Sequence, residues 1–284
     1  MPTISFLAQC ARRKAFVAAV AFILINCAIA FLAPYVSPYD PEAITLNRLE
    51  PPGLNHLFGT DHLGRDVFSR LIWGTRVSLF VAFVATVVAL LVGVSLGGIA
   101  GYFGGLLDHL VSRFMDLWII IPSLILLILV VAFFGTNIFY TSIVIGLTIW
   151  PSNARIMRAQ ALSLRERAFV QAVIAAGGGR LYTLFKHIIP NSIAPVIPNS
   201  TLNVGLAVLT EAALSFIGLG DPRQISWGTV LYNGRETLQT AWWVATFSGL
   251  PILALTYAFV VVGDIITDVT QPQLQEVQVG ARVL

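Results

Sequence analysis

Long uninterrupted apolar runs dominate the chain, and its polar residues gather between them. A helix that crosses the roughly 30 Å hydrocarbon layer of a bilayer needs about 20 apolar residues, so runs of this length predict membrane-spanning helices. We predict an all-α integral membrane protein with about six transmembrane helices. The predicted spans are residues 15–33, 77–100, 117–134, 137–154 (the weakest), 190–219 and 241–262.

The first run, residues 15–33, follows Arg12, Arg13 and Lys14 and is in this respect similar to a secretory signal. Its apolar part is 19 residues long, whereas the apolar core of a signal peptide typically has about 7–15 residues. A run of this length matches the thickness of the hydrocarbon layer. We therefore expect a helix that is retained in the membrane.

Two polar stretches separate the spans, at about residues 34–76 and 155–189. Cytoplasmic loops carry an excess of Lys and Arg, so these residues predict the orientation. With the N-terminus inside, eleven of the 17 Lys and Arg residues fall on the inner side. We expect both termini and the second stretch to be cytoplasmic and the first stretch to be extracytoplasmic. The eleven are Arg12, Arg13, Lys14, Arg113, Arg155, Arg158, Arg165, Arg167, Arg180, Lys186 and Arg282.

The composition agrees with a membrane protein, since 57% of the residues are hydrophobic, 11% are charged and the mean hydropathy is +0.82. These values lie far from those of a soluble domain. We expect one transmembrane domain over residues 1–284. Cys10 and Cys27 are the only cysteines, too few for a disulfide framework or a zinc cluster. The net charge of +3 is too small and too scattered for nucleic-acid binding.

The chain lacks the loop that binds nucleotide phosphates. That loop requires a lysine after a glycine, and neither Lys14 nor Lys186, the only lysines, has this setting. Ion-coupled transporters place ionisable groups at membrane depth, where Glu211 is the one clear acid. Glu211 has two interpretations, a carboxylate that lines or gates a path, or a packing acid hydrogen-bonded to a neighbouring helix or subunit. The sequence predicts no catalytic residue and no metal site.

The second polar stretch contains a short segment of helix formers that ends in glycines. Residues 161–176 favour a helix, and Gly177, Gly178 and Gly179 predict its end. Arg165, Arg167 and Arg180 flank it. Such a helix suits docking into a groove of a soluble partner, and it equally suits resting on lipid headgroups.

The segment resembles the cytoplasmic motif of ABC-importer permeases. Gln171, Ala172 and Val173, then Gly177, then Ile189 and Pro190 stand at the spacing of that motif, with Gln, Val and Ile in place of its Glu, Ala and Leu. The outer stretch, from Gly59 through Thr60, Asp61, Gly64, Arg65 and Asp66 to Arg70, is similar to the second permease of the dipeptide, oligopeptide and nickel group.

The resemblance implies the type I ABC importer permease fold and a permease subunit that is not itself an enzyme. It implies a second, paralogous permease, two ATP-binding-cassette ATPases that use ATP and Mg, and an extracytoplasmic solute-binding protein, in the cytoplasmic (inner) membrane of a prokaryote. This chain then binds no cofactor, contacts membrane lipid, and couples to an ATPase through Gln171, Ala172, Gly177, Gly178 and Pro190.

The spacing of the residues in the outer motif matches no arrangement of catalytic groups. Asp61, Arg65, Asp66 and Arg70 favour ion pairs along a helix or turn, which would form a structural clamp, and direct contact with the binding protein or cargo is the alternative. Short peptides are the expected cargo because they are common in the group, and nickel or a metal chelate is the alternative. A third possibility is a transporter of another class, which is driven by an ion gradient and acts alone.

Overall fold

The computed structural model describes residues 8–270, whose regular secondary structure is helical apart from one isolated β-bridge between Thr60 and Asp66. Arg282 and the ends of the predicted domain 1–284 lie outside this range. The helices from residue 14 onwards are α1 Lys14–Val36, α2 Val67–Phe103, α3 Gly105–Ile120, α4 Ser123–Phe134, α5 Ile138–Arg165, α6 Ala168–Ala175, α7 Arg180–Thr183, α8 Ile189–Ser192, α9 Val196–Leu214, α10 Trp227–Arg235 and α11 Trp242–Thr270. Two π-helical turns, Leu184–Ile188 and Ser215–Leu219, join α7 to α8 and extend α9.

Among the described residues, four helices are long and apolar enough to cross a membrane. These are α1, α2, α9 with its π-helical turn, and α11. The pair formed by α3 and α4 is a fifth candidate if it counts as one broken span. The fourth predicted span, residues 137–154, corresponds to the first part of α5, which has 28 residues but is too polar to join the other candidates.

The helix α2 begins ten residues before the predicted span because Asp66 caps it. The carboxylate of Asp66 accepts a hydrogen bond from the backbone N–H of Ser69 at 2.7 Å, which satisfies a donor that the first turn leaves free. With 37 residues and a rise of about 1.5 Å each, α2 is about 55 Å long. It is therefore longer than the hydrocarbon layer and projects beyond it.

The prediction of one continuous span at residues 117–134 was wrong. The chain breaks at Ile121 and Pro122, and the axes of α3 and α4 differ by 83°. Proline lacks a backbone N–H and forces the residue before it into an extended conformation, and Ile121 has a ψ of 119°. The hydrophobic pattern did not reveal the break, because Ile121 and Pro122, which separate the two helices, are themselves apolar.

Glycines bring α2 and α5 into close contact, and this contact forms the centre of the fold. Gly93, Gly97 and Gly101 recur at every fourth residue of α2 and so lie on one face. A Cβ atom on Gly93 would lie 2.9 Å from the carbonyl oxygen of Trp150, and one on Gly101 would lie 2.5 Å from that of Arg158. Small residues at such spacing let membrane helices pack backbone to backbone.

Candidate functional site

The helix α6 is held to the rest of the chain by one side and exposes the other. Val170 is fully buried and belongs to an apolar cluster with Tyr102, Ala161, Leu184 and Ile188. The neighbouring residues point outward, and the exposed ones are Phe169, Gln171, Ala172, Ile174 and Ala175. An exposed apolar and amide face on a short anchored helix provides a surface for a partner.

The predicted glycine stop is confirmed, but the predicted start of this helix was wrong, because residues 161–165 continue α5 and α6 begins only at Ala168. The backbone N–H of Gly178 donates to the carbonyl of Val173 at 2.9 Å, and that of Gly177 donates to Ile174 at 3.0 Å. Gly177 has a φ of +88°, the left-handed conformation that favours glycine at a helix end. A Cβ atom on Gly177 would meet no atom of residues 8–270 within 4 Å. The space beside Gly177 is therefore open to a partner.

Gln171 makes a bond that the usual glutamate of this motif cannot make. Its Nε2 donates to the backbone carbonyl of Arg165 at 2.9 Å and so ties α6 to the end of α5. A carboxylate has no hydrogen to donate. The amide therefore stabilises the turn between the two helices.

Pro190 lies in α8, apart from the short helix that holds the other coupling residues. Before it, the chain makes the π-helical turn Leu184–Ile188, where the N–H of Ile189 reaches back five residues to the carbonyl of Leu184. Because proline donates no N–H, the helix loses one regular bond at this point. Sequence analysis named Pro190 as a coupling residue but did not predict the π-helical turn before it.

The outer loop is a folded unit built around the buried carboxylate of Asp61. Arg65 donates to Asp61 Oδ2 from both Nε and Nη2 at 2.7 Å. The backbone N–H groups of Leu63 and Arg65 donate to Oδ1 at 2.9 and 3.0 Å. Arg70, also buried, has its Nε 4.0 Å from Oδ2. The ion pair between Asp61 and Arg65 was predicted from their spacing.

Asp66 does not pair with either arginine. In addition to capping α2, its carboxylate lies 2.8 Å from Nδ1 of His56, and both side chains are buried. Thr60 ties the loop to α11, because its carbonyl accepts from Nε1 of Trp243 at 3.2 Å. The loop therefore has a fixed shape relative to two long helices.

Two glycines of the outer motif are required by geometry. Gly59 and Gly64 have φ values of +71° and +77°. A Cβ atom on Gly59 would lie 2.5 Å from the carbonyl oxygen of Glu50, and one on Gly64 would overlap the backbone of Thr45. The predicted outer residues Gly59, Thr60, Asp61, Gly64, Arg65 and Asp66 thus belong to one tightly packed turn.

We expect Asp61→Asn to destabilise the outer loop by about 3 kcal/mol, because it leaves the buried Arg70 and the mostly buried Arg65 without their charged partner. The measurement is thermal unfolding of the purified complex in detergent. Asp40→Asn, an exposed position in the same loop, serves as the control and should change the melting temperature little. Equal effects at the two positions would contradict the clamp.

Glu211 is buried and fastens α10 to the end of α9. Its Oε1 accepts from the hydroxyls of Ser215 and Ser226 at 2.7 Å each. Ser226 is also the N-cap of α10, accepting from the N–H of Thr229 at 3.2 Å. The second oxygen, Oε2, is buried without a partner among the described residues. These contacts fit the interpretation of Glu211 as a packing acid.

We expect Glu211→Gln to reduce transport only partly, by less than about tenfold, since the amide oxygen still accepts both hydroxyl bonds. Glu211→Ala should lower the melting temperature further, because both serines then lose their acceptor. Uptake by reconstituted complex and thermal unfolding are the measurements. Complete loss of transport by Glu211→Gln with normal assembly would instead place this acid in the path.

An open cavity of about 1000 Å³ lies beside the outer loop. It is lined by residues of both signs and by aromatic rings, among them Tyr39, Asp40, Trp73, Arg76 and Arg223. Sequence analysis missed it, because its walls come from the end of α1, the outer loop, α2, the start of α5 and the segment before α10. Their proximity depends on the tertiary fold.

With four candidate spans among the described residues, or five with the broken α3–α4 pair, the fold is that of a multi-pass membrane protein. The chain belongs to the inner membrane components of binding-protein-dependent transport systems, whose family model matches residues 93–276. Residues 4–52 match a second model, the N-terminal transmembrane domain of oligopeptide transport permease C. The predicted family is thus confirmed.

Relatives match nearly the full length of the chain. The dipeptide transport system permease protein DppC of Alkalihalophilus pseudofirmus is 39% identical over 87% of this chain and 82% of its own. That of Haemophilus influenzae is 39% identical over 90% and 89%. The di/tripeptide transport system permease protein DppC of Pseudomonas aeruginosa is 36% identical over 96% and 93%.

A solved structure shares the fold. It is an inward-facing form of the MetNI methionine ABC transporter, with a TM-score of 0.54 and 19% identity. The match covers 72% of this chain and 96% of that one. It supports the predicted fold class.

Proposed function

We propose that this chain is one of two permeases of an ATP-driven importer that carries short peptides across the cytoplasmic membrane. The observation that carries the proposal is the anchored, glycine-terminated helix α6, whose exposed face includes Gln171 and Ala172. Family membership supports it, and so do the relatives described above, which are named as dipeptide or di/tripeptide permeases.

The proposed importer contains a second, paralogous permease, two ATPases and an extracytoplasmic solute-binding protein. The ATPases use ATP and Mg, and this chain contributes no catalytic group and binds no cofactor. Both termini and α6 lie in the cytoplasm. The excess of Lys and Arg on that side supports this orientation.

In the proposed mechanism, α6 receives force from an ATPase. When the two ATPases close around ATP, the docked helix is displaced with its partner. Val170 packs against Tyr102 of α2, Ala161 of α5 and Leu184 and Ile188 of the π-helical turn. Because packed helices shift as bodies, the displacement reaches the membrane helices and changes access to the path.

The outer loop is proposed as the contact for the binding protein. Its clamp around Asp61 and its capping residue Asp66 give it a fixed shape, which suits recognition by a soluble protein. Nickel or a metal chelate is the alternative cargo for the same architecture. The names of the reported relatives favour peptides.

Reconstitution tests the proposal. Proteoliposomes that contain this chain, its second permease and both ATPases should take up labelled di-alanine when the binding protein and ATP are added. Liposomes with this chain alone should take up none, whereas uptake by the chain alone would support an ion-coupled transporter. Uptake of Ni²⁺ in place of the peptide would overturn the cargo assignment.

A further inference from the structure

Five polar side chains meet where α5 crosses α9. The amide nitrogen of Asn199 donates to Oδ1 of Asn153 at 2.7 Å and to the hydroxyl of Ser152 at 3.1 Å. Asn203 donates to Oδ1 of Asn153 at 3.3 Å, and the hydroxyl of Ser200 does so at 3.4 Å. We call these five residues the amide cluster. It lies in the first turns of an apolar helix, where polar groups are costly and usually functional.

One donor group of the amide cluster, Nδ2 of Asn153, is buried and unpaired among the described residues. Asn153 is fully buried, its oxygen accepts three bonds, and its Nδ2 has no partner among the described residues. A buried unpaired amide hydrogen costs free energy that an acceptor would recover. The amides of this cluster are therefore not all satisfied by one another, and a rearrangement that exposes Asn153 would offer its Nδ2 to a further acceptor.

The amide cluster reaches the surface along a polar stripe of α5. Thr148, Ser152 and Arg155, spaced by four and three residues, share one helix face, and Ser152 and Arg155 are exposed. Arg155 pairs with Asp116 of α3 at 2.9 Å, and each of these side chains is 53% exposed. Lipid does not accommodate an open ion pair, and a dry protein interface would have to desolvate it. The Arg155 end of this stripe, which we expect on the cytoplasmic side, is therefore in contact with water.

The backbone beside the stripe also fits a water-filled path. The break between α3 and α4, at Ile121 and Pro122, is exposed. Trp118, on the last turn of α3, donates from Nε1 to the carbonyl of Leu147 in α5 at 2.6 Å and so holds the break close to this face. Interrupted helices at membrane depth occur where they line a cavity or are covered by protein.

We propose that the amide cluster is a binding site on the translocation path for the backbone amides of the peptide cargo. A carboxamide both donates and accepts hydrogen bonds and carries no charge, as does a peptide bond. The cluster itself contains no ionised group, so it suits the part of a peptide that is independent of sequence. The choice of cargo class rests on the proposed function.

Cysteine labelling tests the site in the assembled importer. Cys10 and Cys27 are first replaced by alanine, and Ser152→Cys or Asn199→Cys is then introduced. Both cysteines should react with a positively charged methanethiosulfonate. Leu24→Cys on α1, whose native side chain is 62% exposed and apolar, is the control and should not react. No labelling at positions 152 and 199 would mean that lipid or the second permease covers this face, which would overturn the proposal.

Protection by cargo tests binding itself. Tri-alanine, added with the binding protein and ATP, should slow labelling of Ser152→Cys severalfold, and labelling that cargo leaves unchanged would overturn the site. Asn199→Leu should lower the peptide imported per ATP hydrolysed by about tenfold. Thr210→Val is the control, because the Thr210 hydroxyl bonds only the Leu206 carbonyl of its own helix. A change in melting temperature at Asn199 without a change in this ratio would indicate mere helix packing and overturn the site.

The two proposals fail in different ways. If wild-type proteoliposomes import no peptide, the proposed function is wrong. If they import peptide but Ser152→Cys and Asn199→Cys stay unlabelled, only the assignment of the amide cluster is wrong.

Discussion

Gly177→Trp is expected to reduce cargo-stimulated ATP hydrolysis to the unstimulated rate while the chain still inserts into the membrane. Gly177 has a φ of +88°, and no atom of the described residues lies within 4 Å of its Cβ position. The first side-chain atom therefore has room, and the indole would extend over the surface proposed for the ATPase. Left-handed backbone adds about 1–2 kcal/mol of local strain for any L side chain. ATP hydrolysis by the reconstituted complex, with and without binding protein and cargo, is the measurement.

Gly135→Trp is a matched control. Gly135 also has a positive φ, +80°, and no described atom lies within 4 Å of its Cβ position, but it follows α4, far along the chain from α6. Its ψ of 175° makes the backbone at least as unfavourable for tryptophan, so retained stimulation in Gly135→Trp would show that backbone strain alone does not abolish coupling. Gly177→Asn, which tolerates the left-handed conformation, should retain more stimulation than Gly177→Trp. Unchanged stimulation in Gly177→Trp would remove α6 from the coupling role.

Gly97→Leu is expected to prevent stable folding of the subunit. A Cβ atom at this position would overlap the carbonyl oxygen of Ala154 and lie 2.9 Å from its Cα atom. Backbone atoms cannot rotate away, so α2 and α5 must separate along the glycine contact that forms the centre of the fold. We expect a loss of about 3 kcal/mol or more. The amount of the subunit in membranes and its melting temperature in detergent are the measurements.

Gly249→Leu provides the comparison, since Gly249 lies in α11 and a Cβ atom there would meet no atom within 4 Å in the part of the chain that the structure describes. It should accumulate and melt close to the wild-type protein. If Gly97→Leu behaved in the same way, the close approach of α2 and α5 would not be required for folding.

The sequence predicted the parts of the fold that depend on local signals. The end of α6 followed from Gly177 to Gly179, and the ion pair of Asp61 with Arg65 followed from four-residue spacing. Two further signals were present but outweighed by hydropathy. Asp66 is a favourable cap three residues before Ser69, and Pro122 marks the break in the predicted third span.

Other features required the three-dimensional fold. The bond between His56 and Asp66 depends on the path of the loop that joins them, and Ser226 reaches Glu211 only because the chain turns after the π-helical turn Ser215–Leu219. The amide cluster joins residues about 50 positions apart. Helical periodicity predicts the face of one helix but not which two faces meet.

The uninterrupted helix α2 connects the outer loop to the region around α6. Its first turn is capped by Asp66 inside the outer loop, and its last turn carries Tyr102, which packs against Val170 of α6. A tilt imposed at either end therefore reaches the other without passing through a flexible joint. We expect the two binding equilibria to be coupled. Binding of the cargo-loaded solute-binding protein outside should raise the affinity of this chain for the ATPase inside, and ATPase binding should raise the affinity for the solute-binding protein by the same factor.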